Sequence, residues 1–86
     1  MEFVRTERFK RAYRKLEPRY QKLVKRALVQ LLADRTHPGL RVKRIRGTAK
    51  LWELRAGRDV GVTFEIEEGA YILRNVGHHD PTLKNP

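Results

Sequence analysis

The residue types best suited to chemistry gather in the second half of the chain. His78-His79-Asp80 sets two imidazoles beside a carboxylate, groups that hold metals or move protons near neutral pH. Zinc is a poor reading of this run, because three adjacent side chains diverge and seldom close on one ion. Without further context the run reads as a polar strand end or turn. Glu53 and Arg55 flank Leu54, by default a surface cross-strand pair of small energetic weight. A guanidinium nevertheless offers a phosphate two parallel hydrogen bonds, which an ammonium cannot. Lys43, Arg44, Arg46, Lys50, Arg58 and Arg74 are further cations that could border the same face as Arg55.

Composition narrows the setting for these groups. The chain has 86 residues with 20 Lys and Arg against 10 Asp and Glu, a net charge of +10. That length suits one small domain, residues 1–86, near the size at which a single core is marginal. The absence of cysteine excludes a disulfide framework, a thiolate nucleophile and cysteine-bound zinc, and it suits the reducing cytoplasm. No apolar run reaches the roughly 18–20 residues of a membrane span, and MEFVRTERFK lacks the apolar core of a signal peptide. The charge points to a polyanionic partner, a nucleic acid or an acidic protein.

The elements that must position these residues follow from periodicity. Glu2 to Arg5 is a short edge-strand candidate, and Thr6 suits a helix N-cap with Glu7 in the first turn. Phe9, Ala12, Tyr13 and Leu16 recur on one helical face. Pro18 restricts Glu17 and opens a second helix, whose apolar face holds Tyr20, Leu23, Val24, Ala27, Leu28, Leu31 and Leu32. The short link makes an antiparallel helical hairpin, ended by Thr36, His37, Pro38 and Gly39. Beyond Gly39 the period becomes two. LRVKRI is a polar edge, and three strands over 50–56, 60–67 and 70–76 form a meander. The fold class is therefore α+β, a helical hairpin packed on one face of a small antiparallel sheet.

Strand alternation fixes the faces. Trp52 and Leu54 share the covered side with Val60, Val62, Phe64 and Ile66 only if the loop is odd, most simply Gly57-Arg58-Asp59. Trp52 then pairs with Phe64, Leu54 with Val62, Glu53 with Thr63, and Arg55 with Gly61. A two-residue turn at Glu68-Gly69 sends Tyr71 and Leu73 into the core and Arg74 to the uncovered face, opposite Thr63. Glu53, Arg55 and Arg74 thus lie on that uncovered face.

The two-helix start, the basic strand ending in Arg44-Ile45-Arg46-Gly47, Trp52-Glu53-Leu54-Arg55, Val62-Thr63-Phe64-Glu65-Ile66, and ILRNVGHHD followed by Leu83 and Pro86 resemble the RelE/ParE superfamily of toxins, most closely its RelE-like mRNA interferase branch. The similarity spans nearly the whole chain and rests on the order and spacing of the segments. It implies a βααβββ fold with a possible further strand. It also implies a ribosome-dependent endoribonuclease that cuts mRNA in the decoding site and is held inactive by a cognate antitoxin. The reaction is attack of a ribose 2′-hydroxyl on the adjacent phosphate, which needs a base, cations on the phosphate and an acid, with no metal or organic cofactor.

On the resemblance, Arg55 matches a position that is often basic, and His79 falls where members carry a basic or acid-base residue, with Asp80 to fix its tautomer. Glu53 matches a Lys of some members, so it acts as a base or as a neighbour of Arg55. The implied RNA contacts are Lys43, Arg44, Arg46, Lys50, Arg58, Arg74 and His78. Gly61 departs from the pattern, since many relatives have an Arg there; half of a two-cation clamp opposite Arg55 is missing, so the resemblance implies an activity weakened by Gly61. The C-terminal Tyr of some members is missing too. Eight helix cations, Arg8, Lys10, Arg11, Arg14, Lys15, Lys22, Lys25 and Arg26, exceed what solubility needs and suit ribosomal RNA. The alternatives are a ParE-like gyrase inhibitor and a basic RNA-binding domain without chemistry.

Overall fold

The computed structural model describes residues 1–86 apart from the side chain of Asp80. The elements in chain order are β1 (Glu2–Arg5), α1 (Glu7–Lys15), α2 (Pro18–Ala33), a 3-10 turn (Pro38–Leu40), β2 (Lys43–Arg44), β3 (Leu51–Arg55), β4 (Val60–Glu67), β5 (Ala70–His78) and α3 (His79–Lys84).

Each helix boundary has a local cause. The Thr6 hydroxyl accepts the Phe9 amide at 3.1 Å and donates to the Leu73 carbonyl at 2.8 Å, so one side chain caps α1 and ties it to β5. Pro18 opens α2, where a missing N–H costs nothing. The Tyr13 hydroxyl donates to the Gln21 carbonyl and the Gln21 amide returns a bond to the Tyr13 carbonyl, which locks the hairpin. After α2, Asp34 accepts from the Thr36 amide and hydroxyl, and His37 Nδ1 accepts from the Gly39 amide.

The sheet runs β1-β5-β4-β3-β2, with β1 parallel to β5 and every other pair antiparallel. Trp52 pairs with Phe64, Glu53 with Thr63, Leu54 with Val62 and Arg55 with Gly61, the register required by an odd loop. Phe9, Val24, Leu31, Leu54, Val62, Phe64 and Leu73 are buried together between helices and sheet. At roughly 1.5–3 kcal/mol for each fully buried side chain, this layer holds the hairpin in place. Tyr71 joins it edge-on to Phe64, and its hydroxyl accepts from Arg35 Nε at 2.9 Å.

Two expectations about the other face are corrected. Arg74 does not lie opposite Thr63. The pairing steps from Phe64–Leu73 to Thr63–Asn75, so Arg74 is the extra residue of a β-bulge. An unbroken register would have turned Asn75 into the core and Val76 out. The bulge reverses both and buries Val76. Nor is the face uncovered. Helix α3 and the residues after it lie across it and bury Glu53, Thr63 and Thr82.

The seat of α3 is a pair of glycines. Gly61 and Gly77 are direct cross-strand partners. A Cβ on Gly77 would lie 2.7 Å from Thr82 Oγ1, and one on Gly61 would lie 3.4 Å from His79 Cδ2. Beyond the helix, Thr63 Oγ1 donates to the Pro86 carbonyl at 3.0 Å and Asn75 Nδ2 to the Asn85 carbonyl at 2.8 Å. Arg8 also donates to the Asn85 carbonyl.

Candidate functional site

At the end of the β3–β4 hairpin, a hollow of about 400 Å³ is lined by Arg55, Arg58, Asp59, His78, His79 and Pro81. Three different devices bring them together. Strand alternation puts Arg55 on the α3 side of the sheet. The three-residue loop presents Arg58, whose carbonyl accepts from Arg55 Nη1 at 3.2 Å. The His79 amide donates to the Asp59 carbonyl at 2.6 Å, which fastens the first residue of α3 to that loop. The imidazole then rests over Gly61.

The charged groups form a chain. Arg55 Nη2 lies 3.5 Å from His79 Nδ1, and a guanidinium only donates, so this contact uses Nδ1 as acceptor and puts the ring proton on Nε2. His79 Nε2 lies 3.8 Å from Glu53 Oε2, while Glu53 Oε1 lies 3.3 Å from Lys43 Nζ. The Glu53 side chain is only 4% exposed. A carboxylate so placed needs a cation or a donor beside it, and the Lys43 ammonium and the His79 Nε2 flank its two oxygens. Glu53 does not line the hollow of Arg55 and His79. It lines a second one, of about 530 Å³, with Lys43, Arg44, Ile45, Arg46 and Leu83.

The structure thus divides the residues expected at one site. Arg55, Arg58, His78 and His79 converge, and His78 packs edge-on against Tyr20. Lys43, Arg44 and Arg46 border the neighbouring hollow, where the Arg44 guanidinium lies 5.2 Å from the Trp52 ring centre. Arg74 is apart from both, since its Nη1 pairs with Glu65 Oε2 at 2.8 Å. Lys50, in the loop before β3, lines neither. The Asp80 side chain lies outside the described residues. Beside Arg55, a Cβ on Gly61 would make an ordinary 3.4 Å contact with His79 Cδ2, so the imidazole borders the space that a longer side chain there would enter.

Sequence reasoning missed Asp59, Pro81 and α3 itself. Six residues are too few to show helical periodicity. The available signal was Pro81, which suits the first turn of a helix.

A third hollow, of about 220 Å³, lies on the helical side. Phe9, Tyr13 and Leu28 form its floor, and Arg5, Lys10, Arg14 and Lys25 its rim. Burial pushes the Tyr13 hydroxyl pKa above its ordinary value, and the nearby Arg5 charge partly offsets this.

No protein-family model matches the sequence, and no curated protein sequence matches it significantly. Solved structures do match. The RelB–RelE antitoxin–toxin complex from Methanococcus jannaschii is 16% identical with a TM-score of 0.75, the match covering 96% of this chain and 99% of that one. The fold is that of the RelE/ParE toxins. A YoeB/ParE toxin from Agrobacterium tumefaciens superposes with a TM-score of 0.75 at 13% identity, over 92% of this chain and 99% of that one. The isolated RelE toxin of E. coli gives 0.68 at 16% identity, over 88% and 81%. The sheet holds the leading strand β1 at one edge and the further strand, the two-residue β2, at the other. No helix among the described residues is long and apolar enough to cross a membrane.

Proposed function

We propose that the chain is the toxin of a toxin–antitoxin system, a single-domain, metal-independent endoribonuclease that cuts mRNA in the ribosomal decoding site. The observation that carries this reading is the meeting of Arg55, Arg58 and His79 around one hollow of a RelE-like fold. Arg55 and Arg58 hold the scissile phosphate through guanidinium hydrogen bonds. His79 exchanges protons with the reacting oxygens, taking one from the 2′-hydroxyl or giving one to the departing 5′-oxygen. The 2′-oxygen bonds to phosphorus as the bond to the 5′-oxygen breaks, leaving a 2′,3′-cyclic phosphate and a 5′-hydroxyl. Glu53 and Lys43 act from behind the imidazole and keep its Nε2 side oriented. Asp80 is the second candidate to fix the ring.

The partners follow from the remaining surface. The helix cations suit ribosomal RNA. The basic-rimmed, apolar-floored hollow between α1 and α2 suits an acidic amphipathic segment of an antitoxin, and the RelB–RelE match is with a toxin in complex with its antitoxin. The setting is the cytoplasm, where ribosomes are.

Translation in vitro followed by primer extension tests the reading, and cuts at codon spacing in the mRNA are expected. Intact mRNA together with loss of gyrase supercoiling would instead favour the ParE-like reading, which the YoeB/ParE match keeps in view. Intact mRNA and unaffected gyrase would leave a basic RNA-binding domain.

A further inference from the structure

Arg41 was not among the residues the sequence pointed to. Among the described residues it is the one non-glycine with a positive φ, at φ 49° and ψ 47°. A left-handed conformation brings Cβ close to a backbone carbonyl and is ordinarily given to Gly or Asn. Here the turn before it leaves no choice. Leu40 is buried, the Gly39 amide donates to His37 Nδ1, and the Arg41 amide donates to the Pro38 carbonyl at 3.3 Å.

The consequence is a hollow of about 380 Å³ lined by Gly39, Arg41, Arg55, Gly57 and Arg58. Three guanidiniums face it, with two glycines and no carboxylate. Arg41 makes no ion pair or side-chain hydrogen bond among the described residues. Arg55 and Arg58 also line the hollow that holds His79, so the two spaces adjoin at this pair.

We propose that Arg41 forms a second phosphate subsite, which takes the phosphodiester next to the scissile one held by Arg55 and Arg58 on a single RNA strand, with Arg58 lying between the two. The inference rests on the nuclease reading and extends it from one phosphate to two. Three like charges around one space repel each other until an anion enters. The lining also decides between anions. It contains no aliphatic or aromatic side chain, so an amphipathic acidic peptide would find nothing to pack against, unlike in the α1–α2 hollow. A phosphodiester needs only charge and hydrogen bonds.

The test compares a dinucleotide, with one phosphodiester, and a trinucleotide, with two, both carrying 2′-deoxyribose at the scissile position. They are titrated by NMR at several salt concentrations against the full chain and Arg41→Gly. Glycine accepts the positive φ, so the variant keeps the fold. The trinucleotide is expected to bind Arg41→Gly about three- to five-fold more weakly, as for an exposed ion pair. Its salt slope should fall by about 0.7, with the dinucleotide unaffected. Equal trinucleotide affinity and slope for the two proteins would overturn the subsite. Dinucleotide binding that is indifferent to Arg55→Ala would instead overturn the nuclease reading on which it rests.

Discussion

Replacing Gly77 with alanine tests how the His79 imidazole is held. The new Cβ would lie 2.7 Å from Thr82 Oγ1, closer than such atoms approach, and Thr82 is buried, so relief requires a shift of packed atoms. Overpacking of this kind costs about 1–3 kcal/mol. The far end of the C-terminal segment is fastened by the Thr63–Pro86 and Asn75–Asn85 bonds, each contributing about 1 kcal/mol. The two magnitudes are comparable, so α3 should lift from the sheet before the sheet deforms. Gly→Ala also gains up to about 1 kcal/mol through the unfolded chain, which makes the expected net loss about 1–2 kcal/mol. Chemical denaturation measures that loss. Hydrogen exchange at the His79 amide, bonded to the Asp59 carbonyl, reports the lifting and should quicken while the β4–β5 ladder stays protected. Gly61→Ala is the control, because its Cβ makes only a 3.4 Å contact, and should be neutral or mildly stabilising. Thr82→Ala should rescue Gly77→Ala. Unchanged stability and exchange in Gly77→Ala, or no rescue, would refute the seating of α3 on the glycine pair.

Other outcomes follow from the same contacts. Gly61→Arg should reduce mRNA cleavage, because its Cβ already meets His79 Cδ2 at 3.4 Å and a long side chain beyond it would crowd the ring; a faster reaction would show that the arginine clamp of the relatives is what this site lacks, as the sequence alone suggested. Thr6→Ala removes the α1 cap and its bond to β5 and should cost about 1–2 kcal/mol in urea denaturation. Hydrogen bonds from the Thr36 hydroxyl, then its amide, hold the Asp34 carboxyl below its ordinary 3.8. That contribution is present above the unfolded value and lost as pH falls through the folded one. Thermal melts of Asp34→Asn should therefore trail the unaltered chain at neutral pH and converge with it in acid.

Much of this architecture was legible because period and parity are strong signals. The α2 stripe and the requirement that Trp52, Leu54, Val62 and Phe64 share one side fixed the helices and the β3–β4 register, and with them the opposition of Arg55 and Gly61. The bulge at Arg74 was not legible from the turn alone, since it is set by the burial of Val76 two residues further on. The cover over Glu53 was hidden for a different reason. A six-residue helix has no periodicity, and its docking depends on what Gly61 and Gly77 lack. Arg41 escaped notice because a left-handed arginine leaves no mark in composition or spacing.

The most direct measurement is mRNA cleavage on programmed ribosomes by the unaltered chain, His79→Ala and Arg55→Ala, read by primer extension with denaturation curves confirming folded variants. Codon-spaced cuts by the unaltered chain should fall by about 10²–10⁴-fold in His79→Ala, with a clear loss in Arg55→Ala as well. Undiminished cutting by folded His79→Ala, or no cutting by the unaltered chain, would contradict a nuclease centred on this imidazole.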